Sequence, residues 1–321
     1  MNILLTFDVE IWCDSWHTLD ADFPRAFERY VYGRSRHGSF ALPKTLEILA
    51  RHELKGVFFV EPLFASRFGH EHLATIVRLL RSAGQEIQLH LHPEWVDESR
   101  TPLLPGVRGK RQHLFSYTRD EQQALIAQGL RMLEDAGATH VNAFRAGSFA
   151  CNADTFAAVR ANGLPFDSSL NTTSPLSAAD LADGERHDQP HAIDGVDVYP
   201  MSVFRDGFGR MRHAQLGACS FPELRDAIID AERKGWREFV FLSHNFELLR
   251  QNDVRPDPVV VARFESLARF LADHRGLYPT IGFHDLRPGM GDGAASLATP
   301  RIGPLPTTLR YCEQFARRVA G

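Results

Sequence analysis

The chain of 321 residues is poor in cysteine, with only four, and carries no large excess of either charge, 36 Lys and Arg standing against 40 Asp and Glu. Cys13, Cys151, Cys219 and Cys312 are scattered and form no C-x-x-C pair. They therefore read as inert thiols of a reducing compartment rather than as a disulfide framework or a ligand set. The formal net charge of −4 argues against a dedicated nucleic-acid or membrane-surface binder. No run approaches the roughly 18 apolar residues of a membrane helix, so no integral membrane segment is expected. The opening MNILLTFDVE has no basic stretch, and its apolar run breaks at Asp8 and Glu10, too early for a secretory leader. The expected location is the cytoplasm. No G-x-G-x-x-G or P-loop follows the first strand, which counts against dinucleotide binding. No short repeat is visible.

What the chain does have is an apolar fraction of 44% and fifteen histidines. Short apolar runs predict strands at 3–9, 56–60, 86–91, 141–145, 196–201, 239–243 and 280–283. Helix-period stretches lie between them. Leu73, Ile76, Val77 and Leu80 share one face, closed by Gly84; Thr118-x-x-Glu121 and Ser220-x-x-Glu223 are capping boxes; Asp257-Pro258 opens a further helix. Repeated strand–helix alternation predicts an α/β fold with about seven parallel strands. Three stretches fall outside the alternation: a basic loop at 98–117, a polar excursion at 172–196, and a Gly/Pro/Ala linker at 287–307 ahead of a helix at 309–319.

In parallel α/β folds the chemistry gathers at the carboxyl ends of the strands. The first strand ends Asp8-Val9-Glu10, and alternation points both carboxylates the same way. The third ends His90-Leu91-His92-Pro93-Glu94, with two imidazoles side by side by the same parity. Imidazole and carboxylate together suit zinc or a related divalent ion. Arg145 stands at the end of the fourth predicted strand, where it either pairs an acid for solubility or holds Asp8 ionised. His244 and His284 both end late strands, and strand position alone does not rank them. Trp12, Trp16 and Trp95 flank these ends, either as walls of a sugar site or as packing.

These residues together resemble the polysaccharide deacetylase family (NodB homology, carbohydrate esterase family 4). Thr6-Phe7-Asp8-Val9-Glu10 is similar to its first motif, Gly84 to His90 to the approach to its second, and Phe144-Arg145-Ala146-Gly147 to its arginine motif. Phe166-Asp167-Ser168-Ser169 and Phe241-Leu242-Ser243-His244 resemble later strand ends of the family. The resemblance runs in order to about residue 285. It implies a distorted (β/α) barrel over 1–286, with 287–321 forming the linker and a helix packed on or beside it. It also implies one divalent metal ion, zinc first and Co, Ni, Fe or Mn otherwise.

By the resemblance Asp8 is the general base, Glu10 and His90 are metal ligands, Arg145 orients Asp8, His244 is the general acid and Asp167 steers it. The family spaces its histidines four apart, whereas here Glu94 holds that position and His92 stands at +2. His92 is favoured as third ligand, with Glu94 the alternative, and the roles of Asp8 and Glu10 are open to exchange. Trp12 and Trp95 are the expected substrate contacts. The implied activity removes an N-acetyl or other N-acyl group from an amino sugar, glycan, or sugar-lipid or sugar-nucleotide precursor, with the basic loop at 100–111 meeting a phosphate. The alternatives are a small-amide hydrolase of allantoinase type and a catalytically silent carbohydrate-binding protein.

Overall fold

The computed structural model describes residues 1–177, 188–251, 253–289 and 297–320. The predicted excursion and linker therefore lie in part, at 178–187 and 290–296, outside the described residues. Two compact units divide the chain. The first comprises Met1–Gly56, Ser202–Ile281 and Leu297–Gly321; the second comprises Val57–Met201 and Gly282–Ser296.

In the first unit the strand Asn2–Val9 pairs in parallel with Glu238–His244, in a register running from Asn2↔Glu238 to Asp8↔His244. Seven of the eight residues of Asn2–Val9 are buried. That is why its sequence is a near-continuous apolar run rather than an alternating one: a parallel strand is covered on both faces. The helices Leu42–Arg51, Phe221–Arg233, Pro258–Asp273 and Pro304–Ala320 belong to the same unit. Phe221–Arg233 starts at the predicted capping box, the Ser220 N–H donating to Glu223 at 3.0 Å. Pro258–Asp273 starts on Asp257, whose carboxylate accepts from the Val259 N–H at 3.0 Å.

The second unit carries five parallel strands in the order Val57–Val60, Glu86–Leu91, Ala143–Ala146, Phe166–Asp167 and Val196–Val198. His191–Ile193 adds an antiparallel edge. With the pair in the first unit, the described residues contain seven parallel strands, six at predicted runs and Phe166–Asp167 in place of the one expected at 280–283, and the chain is an α/β protein. Phe58 and Phe59 are fully buried. The helix Arg119–Asp135 begins at its capping box, Thr118 N–H donating to Glu121 at 2.9 Å. The helix His70–Ser82 is followed by Gly84 at φ +67°, a left-handed position that glycine takes without strain.

Two elements differ from expectation. The strand predicted at 280–283 reduces to a single parallel bridge between Thr280 and Ile3. From Gly282 the chain turns into a short 3₁₀ segment, Phe283–Asp285. The buried Glu86 carboxylate takes the N–H groups of Phe283 at 2.7 Å and His284 at 3.3 Å, so a side chain satisfies the donors that a ladder would have used. The last helix begins at Pro304, inside the predicted linker, because proline suits a first helical turn whose N–H groups lack intrahelical partners anyway.

That helix is fastened to the first unit by ion pairs. Arg310, 2% exposed, donates to Glu223 at 2.9 Å and to Asp206 at 3.1 Å. Arg263 pairs with Glu313 and Arg317 with Asp257. Truncating one partner of such a buried group leaves the others uncompensated. Arg310→Ala is therefore expected to lower unfolding stability by about 3–5 kcal/mol in urea titrations followed by circular dichroism.

Candidate active site

In the first unit the parallel ladder delivers Asp8 and His244 as register partners at the carboxyl ends of their strands. Asp8 and Glu10 are both buried, and the ligand atoms of Asp8, Glu10 and His244 all lie within 4.8 Å of one another. The backbone continues the alignment past the strand. The Asn245 N–H donates to the Asp8 carbonyl at 3.1 Å, while the Asn245 side chain accepts from the Glu10 N–H at 3.1 Å and donates to the Glu10 carbonyl at 3.0 Å. Trp12 donates its indole N–H to Oε2 of Glu10 at 2.7 Å.

His244 is oriented from behind. Its Nδ1 lies 2.9 Å from Oε1 of Glu247, and its Nε2 lies 4.0 Å from Glu10. Glu247 is itself held by the Gly217 N–H at 2.6 Å and by Gln215. Burial opposes the charged imidazole. The Glu247 hydrogen bond and the carboxylates of Glu10, Glu247 and Asp8 outweigh that, and together push its pKa up to about 9. His244 thus keeps its ring proton at neutral pH.

In the second unit, His90 and His92 follow the predicted parity, their rings in edge-to-face contact with centroids 4.8 Å apart. Nδ1 of His90 meets the Arg145 carbonyl at 2.8 Å, and Nδ1 of His92 meets Glu94 at 3.3 Å. An acceptor at Nδ1 fixes the tautomer whose lone pair is on Nε2, the arrangement that outer partners impose on metal-ligating histidines. Glu94 thus serves as the acceptor beside His92. Gly147 makes room for that ring, since a Cβ there would approach it to 2.7 Å. This accounts physically for the glycine of the Arg145-Ala146-Gly147 segment.

Arg145 is fully buried, donates to the Ser168 carbonyl and hydroxyl at 3.1 and 3.0 Å, and stacks over Phe59 at 4.1 Å. Asp167 accepts from the Ser169 N–H and hydroxyl, each at 2.7 Å. Burial pushes its pKa up to about 7 against those bonds and the Arg145 charge. Steering of His244 was expected from Asp167; the carboxylate on Nδ1 of His244 is Glu247.

One expectation is corrected and two open readings are narrowed. Trp95 is 1% exposed and packs edge-on against Phe68, so it fills the core and has no face to offer a sugar. His284 belongs at the opposite end of the strand Glu86–Leu91 from His90. Its Nδ1 lies 3.4 Å from Glu86 and its Nε2 2.6 Å from the His140 carbonyl, which ranks it below His244. In the basic loop Lys110 pairs with Asp97 and Glu98, and Arg111 with Glu121, so these two cations are already neutralised. Two carboxylates escaped the sequence reading. Glu247 follows His244 at the i+3 spacing that lets a turn fold back. Glu61 directly follows the strand Val57–Val60, where the strand-end rule would have found it. Burial pushes its pKa up to about 8, with the Leu63 N–H, His92 and the Phe64 N–H opposing.

No family model matches the chain, and no curated protein matches it. Solved structures do. A "putative polysaccharide deacetylase" from Mycobacterium smegmatis aligns over 88% of this chain and 87% of its own, at 20% identity and a TM-score of 0.55. A 4-alpha-glucanotransferase from Thermococcus litoralis aligns over 89% of this chain and 38% of its own, at 12% identity and a TM-score of 0.50. A family 4 carbohydrate esterase from Streptomyces lividans covers 94% of this chain and 97% of its own, at 12% identity and a TM-score of 0.45. At these identities the likeness is one of fold, so the reaction has to be argued from the side chains. Among the described residues no helix is long and apolar enough to cross a membrane.

The dependence of His244 on Glu247 is directly measurable. In the metal-free protein its imidazole is expected to titrate near 9 by NMR, and Glu247→Gln to lower that value by roughly 1–3 units. Because the folded value lies above the ordinary histidine value of 6.5, the stabilisation is complete below that pH and is lost as pH rises through about 9. Glu247→Gln should flatten that part of the stability profile.

Proposed function

We propose that the chain is a metal-dependent amide hydrolase of the polysaccharide deacetylase family, removing the N-acetyl or other N-acyl group of an amino sugar. The observation that carries this reading is the close group of Asp8, Glu10 and His244 with Glu247 behind the imidazole. Two carboxylates beside a cationic histidine supply both a proton acceptor and a proton donor.

Glu10, His90 and His92 are assigned as the metal ligands. The donor set fits a divalent ion. Both imidazoles have an acceptor at Nδ1, and Glu10 receives the Trp12 indole hydrogen bond, an outer contact of the kind that orients a ligating carboxylate. Zinc suits these ligands best, with cobalt, nickel, iron or manganese as the other candidates. When bound, such an ion polarises an amide carbonyl and lowers the pKa of water.

The remaining chemistry belongs to the chain's own residues. Asp8 takes a proton from the attacking water as the new C–O bond forms. His244, held as imidazolium, gives its proton to the amide nitrogen as the C–N bond breaks, so that the products are a carboxylic acid and an amine. Arg145 orients Asp8, and Asp167 is assigned a positioning role through the Arg145 charge. Trp12 faces both ways in this reading, holding Glu10 and offering its ring to the sugar.

Metal analysis of the purified protein alongside acetate release from N-acetylglucosamine oligomers tests the reading. Asp8→Asn is expected to lower turnover by about 10²–10⁴-fold with metal content retained. His90→Ala is expected to lose the metal. A metal-free wild type that still turns over, or Asp8→Asn at full rate, would overturn it.

A further inference from the structure

The first unit holds a cavity of about 520 Å³ whose wall includes Trp12, Arg29 and Tyr30. Trp12 joins it to the proposed active site, because its indole N–H is bonded to Glu10. The backbone makes a second connection. The Asn245 side chain donates both to the Glu10 carbonyl and to the Tyr30 carbonyl, the latter at 2.5 Å.

The charges around the cavity are unevenly satisfied. Asp14 and Asp22 pair with Arg25 at 2.8 and 3.4 Å, and Asp253 pairs with Arg255. Arg29 has no such partner among the described residues. Its Nε is buried without a hydrogen-bond acceptor, and its guanidinium rests only over the Tyr30 ring, 5.2 Å from the centroid. A half-buried guanidinium without an ion pair and with its Nε unsatisfied costs desolvation that its contacts in the fold do not recover. The backbone beneath it is also unusual: Glu28–Tyr32 is a π-helical turn closed by Gly33 at φ +56°. Such turns are rare and recur at functional sites.

A planar guanidinium recognises carboxylate and phosphate groups through paired hydrogen bonds, and Trp12 and Tyr30 beside it offer the apolar faces on which sugar rings pack. We propose that this cavity is a substrate subsite in which Arg29 binds an anionic substituent, a carboxylate or a phosphate, carried by the sugar substrate. The inference rests on the reading of the chain as an amino-sugar N-deacylase and narrows its substrate to an acidic glycan. Arg29 acts there as a specificity residue, away from the bond that breaks.

Three N-acetylglucosamine disaccharides test it: the neutral compound, its 6-phosphate, and its lactyl ether bearing a carboxylate. Each is measured by calorimetric binding and by acetate release. The wild type is expected to bind one anionic probe about tenfold more tightly than the neutral one, in line with a charged hydrogen bond, and the identity of that probe distinguishes phosphate from carboxylate. Arg29→Gln should collapse the preference to within about twofold, with Arg29→Lys retaining part of it. Circular dichroism checks that both variants fold, and a variant that does not is replaced by Arg29→Met. A wild type without anion preference, or a preference unchanged in Arg29→Gln, overturns the proposal. Arg29-dependent binding without hydrolysis of any probe would sink the deacylase reading while leaving the anion subsite standing; hydrolysis of all three probes alike would do the reverse.

Discussion

The parallel pairing of Asn2–Val9 with Glu238–His244 is the constraint on which the proposed chemistry depends. It brings together segments separated by most of the chain, and its register sets Asp8 opposite His244. A shift of one residue in either strand would turn that strand's side chains to the other face of the sheet and separate Asp8 from His244. Asn245 locks the register just beyond the ladder, with hydrogen bonds to the Asp8 carbonyl and, across 235 positions of sequence, to the Glu10 backbone. Each such bond is worth about 1 kcal/mol net, but an unsatisfied buried amide would cost more, so the arrangement resists slippage.

Around this frame, buried polar groups are consistently oriented by a second group behind them. Glu247 stands behind His244, Glu94 beside His92, the Arg145 carbonyl behind His90, and Trp12 behind one oxygen of Glu10. Burial alone would discharge the carboxylates and the imidazole. Where partners of opposite charge are close the group stays ionised, as at His244; where hydrogen bonds are few relative to burial the proton is retained to higher pH, as at Glu61 and Asp167. The difference between a proton donor and a proton acceptor in this protein is therefore set by the neighbours of each group.

Much of the local structure was legible residue by residue. The capping boxes at Thr118 and Ser220, the glycine at position 84, the apolar first strand and the parity of His90 and His92 all express rules that act over a few residues. The failures share a cause. The stretch 280–283 looks like a strand, but Glu86, distant in sequence, captures its N–H groups. Trp95 looks like a sugar platform, but its ring is enclosed. Glu247 and Glu61 went unnoticed because nothing in the spacing of one sequence marks a lone carboxylate as the partner of a histidine or as an occupant of the core.

By itself, then, the sequence determined the element types, the parallel α/β class and the residues that end the strands, because periodicity, caps and strand parity are properties of neighbouring residues. Only the tertiary structure decided which histidine is held as a cation, which acid orients it, which tryptophan is buried and which arginine lacks an ion pair among the described residues. Those outcomes depend on desolvation and on contacts between segments far apart in the chain, and neither quantity is written in local order.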